Sequence, residues 1–379
     1  MKVSFLGDLF LGGLLDKKDL ENHIKLERLN HSDIVVGNLE SPISNSNRFE
    51  DKSVLKSSAY AAQEIKKLGI TSVSLANNHI HDLGREGFME TIQNLNKFDI
   101  EHFGAGSNLN SAGQPLKIDD HLFILAACDY AKPYLNKIKI SDSTDWGIFP
   151  LKLEEIQKKL QKLDDKDRVI LYLHWGMEHL NLPLYEDLIL ARKLLENEKV
   201  LMIIGSHAHR IQGVLEHNGK KAYMCLGNFI FPDFFMEPPR KISSKKRGEI
   251  PSYAITYSYH KVWRLTLKKW RLVNRASLIV NFDSNISQTQ TDFIFQDKDN
   301  FMIKKPNGFL NFYFGFRFKV LSFIMRLPKF LYLPTQKVDQ ALVYLRWNSA
   351  IYFFHLKELG LKKFISEVFK KLNGKHKEL

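Results

Sequence analysis

The sequence predicts an α/β fold, doubly wound or layered, on three observations. Short apolar runs rich in β-branched residues recur along the chain, among them Ile70 to Leu75, Val169 to Leu173 and Val200 to Ile204. Between them lie stretches with helical spacing of apolar residues, such as Leu151 to Leu163. Five successive runs end on Asp, Asn, Glu or His, which puts polar side chains at the carboxyl ends of strands, where α/β folds build their sites. With 379 residues, 44% hydrophobic and 26% charged, the chain can bury a large core, and wholesale disorder is excluded.

Taken in order, Lys2 to Leu6 is the first strand and delivers Gly7-Asp8. Asp19 to Leu29 reads as a helix. Asp33 to Gly37 is the second strand, followed by Asn38-Leu39-Glu40-Ser41-Pro42. Ser58 to Leu68 has helical spacing through Ala61, Ala62, Ile65 and Leu68, and leads through Gly69 into the strand at Ile70. That strand ends in Asn77-Asn78-His79-Ile80-His81-Asp82-Leu83-Gly84, and Arg85 to Phe98 is the next helix. His102-Phe103-Gly104-Ala105-Gly106 is a glycine turn without the third spaced glycine of a dinucleotide fingerprint.

A strand over 121–128 follows, then an amphipathic helix with Ile156, Leu160 and Leu163 on one face. The next strand delivers His174-Trp175-Gly176. A helix from Leu184 to Leu195 precedes the strand that delivers Gly205-Ser206-His207-Ala208-His209. Ile211 to Phe231 reads as a hairpin around Asn218-Gly219 that closes at Leu226-Gly227-Asn228. Residues 276–303 supply a last pair of strands.

Net charge is +13, carried by two segments. Residues 236–275, with Trp263 and Trp270, hold eleven Lys/Arg against Glu237 and Glu249; residues 306–379 hold thirteen against four acids. The basic character therefore belongs to an insertion and a tail, which points to local anionic contacts. Within 309–332, nine Phe or Tyr alternate with Arg317, Lys319, Arg326 and Lys329. Such a helix suits peripheral contact with an anionic membrane, or a pair of helices packed on the sandwich with basic tips in water; a nucleic-acid partner is not expected. Cys128 and Cys225 sit in apolar runs and read as buried free thiols. No signal-peptide pattern and no uncharged run of spanning length is evident, so the expected location is cytoplasmic.

Sorted by type, the strand ends supply Asp8, Glu40, Asn78, His174, His207 and His209, with His79 and Asp82 beside them. Mixed carboxylate and imidazole donors suit divalent transition metals such as Mn, Fe or Zn better than Ca or Mg. One structural zinc takes four ligands, whereas two ions sharing a carboxylate use all six. His79 need not be a ligand: it can bond a phosphoryl oxygen or protonate a leaving group.

Read together, Gly7-Asp8, Asn38-Leu39-Glu40-Ser41-Pro42, Ala76 to Gly84, His102 to Gly106, Leu173-His174-Trp175-Gly176, Gly205 to His209 and Leu226-Gly227-Asn228-Phe229 resemble a known series. It is that of the CapA family, the capsule or poly-γ-glutamate synthesis proteins of the calcineurin-like metallophosphoesterase superfamily. The resemblance covers about residues 1–235, and more weakly the strands at 276–303, and implies a four-layer αββα sandwich; the domain is then expected over 1–305, with the composition marking a basic insertion at 236–275 and a helical region over 306–379. It implies a two-ion centre held by Asp8, Glu40, Asn78, His174, His207 and His209. His79 is the implied catalytic residue with Asp82 its partner, and Asn38, Asn77, Trp175 and Asn228 are expected at the substrate. Two positions depart from the wider superfamily. Asp8-Leu9-Phe10 stands where Asp-x-His is usual, and the Asn38/Glu40 pair replaces an Asp, with Glu40 favoured as the bridging ligand. The implied function is metal-dependent hydrolysis of an anionic substrate, phosphoester or polymer intermediate, in capsule, surface-polysaccharide or poly-γ-glutamate synthesis. The alternative is a non-catalytic binding or assembly factor of a membrane-associated polymer synthesis complex.

Overall fold

Along the Arg168–His174 strand, Ile170 and Tyr172 enter one apolar core while Val169, Leu171 and Leu173 enter another. This period-two alternation, apolar on both faces, is what a central strand covered on each side requires. A computed structural model describes residues 1–20, 23–25, 32–46, 54–129, 138–236, 265–298 and 302–372. It contains two principal sheets packed face to face.

The first sheet runs in the order Ile24–Lys25, Ile303–Lys304, Gln288–Gln296, Ala276–Asp283, Lys2–Leu9, Ile34–Leu39, Ser72–Ser74, Glu101–Phe103, with Asn228–Ile230 also paired to Lys2–Leu9. The second runs Val214–His217, Lys220–Tyr223, Val200–Ser206, Arg168–His174, Leu122–Cys128, Leu116–Asp119. Within each sheet the strands that carry the proposed ligands are parallel to one another, so their carboxyl ends lie together, although Lys2–Leu9 is antiparallel to Ala276–Asp283 on its other side. Between the sheets, the Tyr172 hydroxyl donates to the Leu6 carbonyl, and the Phe5 and Tyr172 rings lie 6.4 Å apart.

Helices cover both outer faces. Tyr60–Lys67 and Gly84–Lys97 pack on the first sheet through Ala61, Ala62, Ile65, Phe88 and Leu95. Leu153–Gln161 and Tyr185–Glu196 close the second through Ile156, Leu160, Leu188, Ala191, Leu194 and Leu195. The layers are therefore helix, sheet, sheet, helix, as the family resemblance implies.

The structure differs from the sequence reading in three places. Ile24–Lys25, expected in a helix, is a short strand because it pairs in parallel with Ile303–Lys304; the remainder of that prediction lies largely outside the described residues. The expected hairpin is confined to Val214–His217 and Lys220–Tyr223, turning at Asn218 (φ 50°) and Gly219 (φ 73°). After it the chain crosses to the first sheet, where Asn228–Ile230 pairs with Lys2–Leu9. The basic insertion, of which 237–264 with Trp263 lie outside the described residues, ends inside the fold: Thr266–Lys268 pairs with Phe234–Met236, and Trp270 is buried. The C-terminal helices Gly308–Ile324 and Lys329–Leu372, the latter broken at Gly360 (φ 73°), are tied to the sandwich, one of the two placements the sequence allows. Leu321, Met325 and Tyr332 join the outer core, and the Tyr332 hydroxyl donates to the Pro183 carbonyl at 2.6 Å.

Candidate metal centre

Backbone register assembles the site before any side chain contributes. Asp8 pairs with Asn38 on one side and Asn228 on the other, and both ladders shift register at Asp8. Such irregularities re-aim a side chain at a sheet rim. Gly7 permits this close approach, since a Cβ there would overlap the Gly227 carbonyl oxygen. On the second sheet His174 pairs with Ser206, which brings the following His207 and His209 to the same end.

Five buried side chains then form two donor groups. Asp8, Glu40 and His209 present ligand-type atoms within 4.8 Å of one another, and so do Glu40, His174 and His207. Glu40 belongs to both: its Oε1 lies 3.6 Å from His209 Nε2 and 3.8 Å from His174 Nε2. The Asn78 Oδ1 stands 3.0 Å from His174 Nε2, beside the second group. The structure thus brings all six sequence-predicted ligands into one cluster.

The surroundings hold these groups in place. The Asn38 amide donates to Asp8 Oδ1 (2.9 Å) and lies 3.2 Å from His174 Nδ1, which also meets Ser206 Oγ at 3.1 Å. Asn228 Oδ1 is 2.9 Å from His209 Nδ1, and the Asn228 amide donates to the Asn274 carbonyl. His207 and His209 have φ of 92° and 53°, the left-handed region in which non-glycine residues carry about 1–3 kcal/mol of strain each. Packing must overcome that cost to keep both imidazoles here.

Burial sets the protonation of the cluster. It pushes His207 down to about 4 and, with repulsion against charging a second imidazole beside its histidine neighbours, holds His174 well below the usual histidine range. Burial opposes the charged form of His209 as well, but the hydrogen bond and charge of Asp8, with Glu178 and Asn228, outweigh it and raise this imidazole. His174 and His207 are therefore neutral, the form that ligates a metal. Neither ring nitrogen of His207 has a hydrogen-bond partner among the described residues, although the residue is fully enclosed. A buried polar group in that state is costly unless a ligand satisfies it, so the donor set fits a divalent cation.

Beside the cluster His79, with 17% of its side chain exposed, places Nδ1 2.7 Å from Asp82 Oδ2. The same Asp82 oxygen accepts the Leu55 N–H at 2.7 Å. The turn that carries His79 is pinned by Asn77, whose Oδ1 accepts the His79 and Ile80 N–H groups while its amide donates to the Leu39 carbonyl.

Of the four residues expected at the substrate, Trp175 lies away from the cluster. Trp175 packs in the outer core, and its indole N–H donates to the Met224 carbonyl at 2.9 Å, because strand alternation turns it away from His174. Asn38, Asn77 and Asn228 are buried with their amides engaged, and serve to orient the cluster. Sequence reasoning missed the wall formed by Trp270 and His179, whose rings lie 5.2 and 6.0 Å from His209. Lys268 Nζ stands 3.3 Å from His179 Nε2 and over the Trp270 ring. No strand-end pattern marks these residues. Ser206, by contrast, sits inside a motif already singled out.

Residues 2–233 match the family described as Bacterial capsule synthesis protein PGA_cap. The chain belongs to this family. Among curated relatives of this PGA_cap protein is the PGA biosynthesis protein CapA of Bacillus subtilis (strain 168), 25% identical over 241 residues, 61% of this chain and 63% of the relative. The capsule biosynthesis protein CapA of Bacillus anthracis is 26% identical over 213 residues, 54% of this chain and 51% of the relative. The chain thus spans less than two thirds of the length of either. Among solved structures, the calcineurin-like phosphoesterase YfkN from Bacillus subtilis aligns over 86% of this chain and 99% of its own, with 11% identity and a TM-score of 0.35.

Proposed function

We propose that this chain is a metal-dependent hydrolase of the phosphoester type, acting on an anionic substrate in the synthesis of a bacterial capsule, surface polysaccharide or poly-γ-glutamate. The observation that carries the reading is the sharing of Glu40 between two buried donor groups beside a partly exposed His79 paired with the buried Asp82. Asp8, Glu40 and His209 would hold one divalent transition ion (Mn, Fe or Zn), and Glu40, His174, His207 and Asn78 the other. When bound, such ions supply Lewis acidity toward a phosphoryl oxygen and toward water near neutral pH. Asn38 and Asn228 keep Asp8 and His209 aimed at the ligand position. His79, fixed through Nδ1 by Asp82, presents the rest of its ring to hold a phosphoryl oxygen or to give a proton to the leaving oxygen.

One observation favours a second reading, a non-catalytic binding or assembly factor. Phe10 occupies the position of the usual first-motif histidine and is locked among Phe231 and Phe234, at ring separations of 5.0 and 5.4 Å. Metal analysis of the purified protein, with a bis(p-nitrophenyl) phosphate assay on the wild type and on His79→Asn, separates the two. Two bound transition ions and turnover reduced by about 10²–10⁴ in the variant are expected for the hydrolase. Absence of ions together with absence of turnover selects the assembly factor, whereas turnover indifferent to His79 would remove only the role given to that residue.

The same reading assigns the protein to the surface of a membrane carrying anionic lipid. Phe309, Phe312, Phe316, Val320 and Phe323 fall on one face of the Gly308–Ile324 helix and are exposed, Phe309 by 77% and Phe312 by 72%. Lys319, Arg326 and Lys329 are exposed beside them. An apolar stripe with basic residues at its edge matches the boundary between acyl chains and anionic headgroups. Among the described residues no helix is long and apolar enough to cross a membrane.

A further inference from the structure

A cleft of about 650 Å³ opens where the C-terminal helices meet the loops that follow His209 and Trp270. Four arginines line it: Arg210, Arg271, Arg317 and Arg346. Two chain segments connect it directly to the metal centre. Arg210 follows the proposed ligand His209, and Arg271 follows Trp270, whose ring lies 5.2 Å from that of His209 at a tilt of 51°. The other wall comes from the helix that begins at Lys329, where Thr335, Asp339, Leu342 and Arg346 recur at helical spacing.

The charges in this cleft do not cancel. None of the four guanidinium groups forms an ion pair with a carboxylate among the described residues. The one acid in the lining, Asp339, is engaged elsewhere: it accepts from the Asn181 N–H (2.7 Å), the Asn181 amide (2.5 Å) and the Leu182 N–H (3.0 Å). Arg210 and Arg317 are positioned by neutral groups, both bonding Asn181 Oδ1, and Arg317 also the Ile211 carbonyl. Arg210 is only 4% exposed, and its Nε has no hydrogen-bond partner among the described residues. A buried guanidinium donor left unsatisfied among like charges is a costly arrangement that an anion would relieve. The planar donor fork of arginine fits carboxylate and phosphate alike.

We propose that this cleft binds an anionic group, a carboxylate or a phosphate, carried by the polymer or intermediate whose reacting end lies at the metal centre. The anion-binding claim stands on the cleft alone; the link to the reacting end rests on the hydrolase reading. The test is titration calorimetry on the full chain after treatment with EDTA, with two probes: a γ-linked glutamate oligomer and inorganic pyrophosphate. Wild type is expected to bind at least one probe, and Arg271→Gln/Arg346→Gln to bind it at least tenfold more weakly. The single variant Arg346→Gln, with an unchanged thermal midpoint, guards against loss through misfolding. Binding of the oligomer alone identifies a carboxylate polymer, and of pyrophosphate alone a phosphate. If neither probe binds, or the double variant binds as tightly as wild type, the proposal is overturned. Metal content is measured on the untreated protein. Two retained ions with an inert cleft would leave the hydrolase reading standing, and an intact cleft without ions would remove only the link to the reacting end.

Discussion

The Nδ1 of His79 faces Asp82 Oδ2 at 2.7 Å, within a single turn of the chain and beside a cluster of buried metal-type donors. The pairing fixes which edge of the imidazole is left for the substrate. Replacing Asp82 with Asn keeps an oxygen for the Leu55 N–H but removes the charge that orients the ring. Asp82→Asn is expected to lower kcat on a phosphodiester about 10- to 100-fold with KM and ion content unchanged. Turnover equal to wild type would show that Asp82 serves only the fold.

Because Glu40 belongs to both donor groups, its loss should differ in kind from the loss of a ligand that belongs to one. Glu40→Gln is expected to weaken both ions, by about tenfold or more each, so that dialysed protein retains less than one equivalent. His209→Ala is expected to retain the ion of the other group. Elemental analysis after dialysis at fixed free metal reads the difference. Equal ion content in the two variants would rule out a shared carboxylate.

Much of this site was legible because parallel strands deliver their carboxyl ends to one edge. Asp8, Glu40, Asn78, His174, His207 and His209 all follow apolar runs, and the structure gathers them. What strand-end counting does not resolve is side-chain direction. Trp175 is next to His174 in sequence yet packs behind the sheet, because neighbours on a strand face opposite ways. Trp270 was illegible for another reason. It lies in a charge-rich segment with no periodic signal, and only its ring contacts with His209 and Phe231 reveal its place. Short pairings such as Ala105–Gly106 with Gly147–Ile148 also escape a reading based on hydrophobic runs, since two residues carry no period.

Cys225 and Cys128 offer a check on burial at the centre of the sandwich. Burial first, and then the charge of Asp8, push the Cys225 thiol up to about 12. The native thiol therefore keeps its proton between about pH 9 and 12, where an unfolded one has lost it. Stability from this group is intact below pH 9 and is lost as the pH rises toward 12. At pH 8 the thiolate fraction is about a thousandfold below that of a free cysteine. Ellman's reagent is expected to label neither thiol in the native protein within the time that labels both in guanidinium, since Cys128 is buried too. Rapid native labelling would place a thiol at the surface.

The exposed face of the Gly308–Ile324 helix makes the membrane reading quantitative. Fully burying one Phe side chain yields about 1.5–3 kcal/mol, so two centrally placed rings, Phe312 and Phe316, should account for much of the partitioning. Phe312→Ser/Phe316→Ser is expected to bind vesicles containing phosphatidylglycerol about a hundredfold more weakly than wild type in a sedimentation assay. Neither ring is among the buried residues of the core, so the thermal midpoint should hold. The contribution of Lys319, Arg326 and Lys329 is separable because salt screens it: raising ionic strength should weaken wild-type binding to anionic vesicles while the apolar part persists. Equal affinity of wild type for neutral and anionic vesicles would remove the electrostatic half of the reading. Equal affinity of the double variant and wild type would remove the helix face from it altogether, and would leave the stripe to be covered by protein rather than lipid.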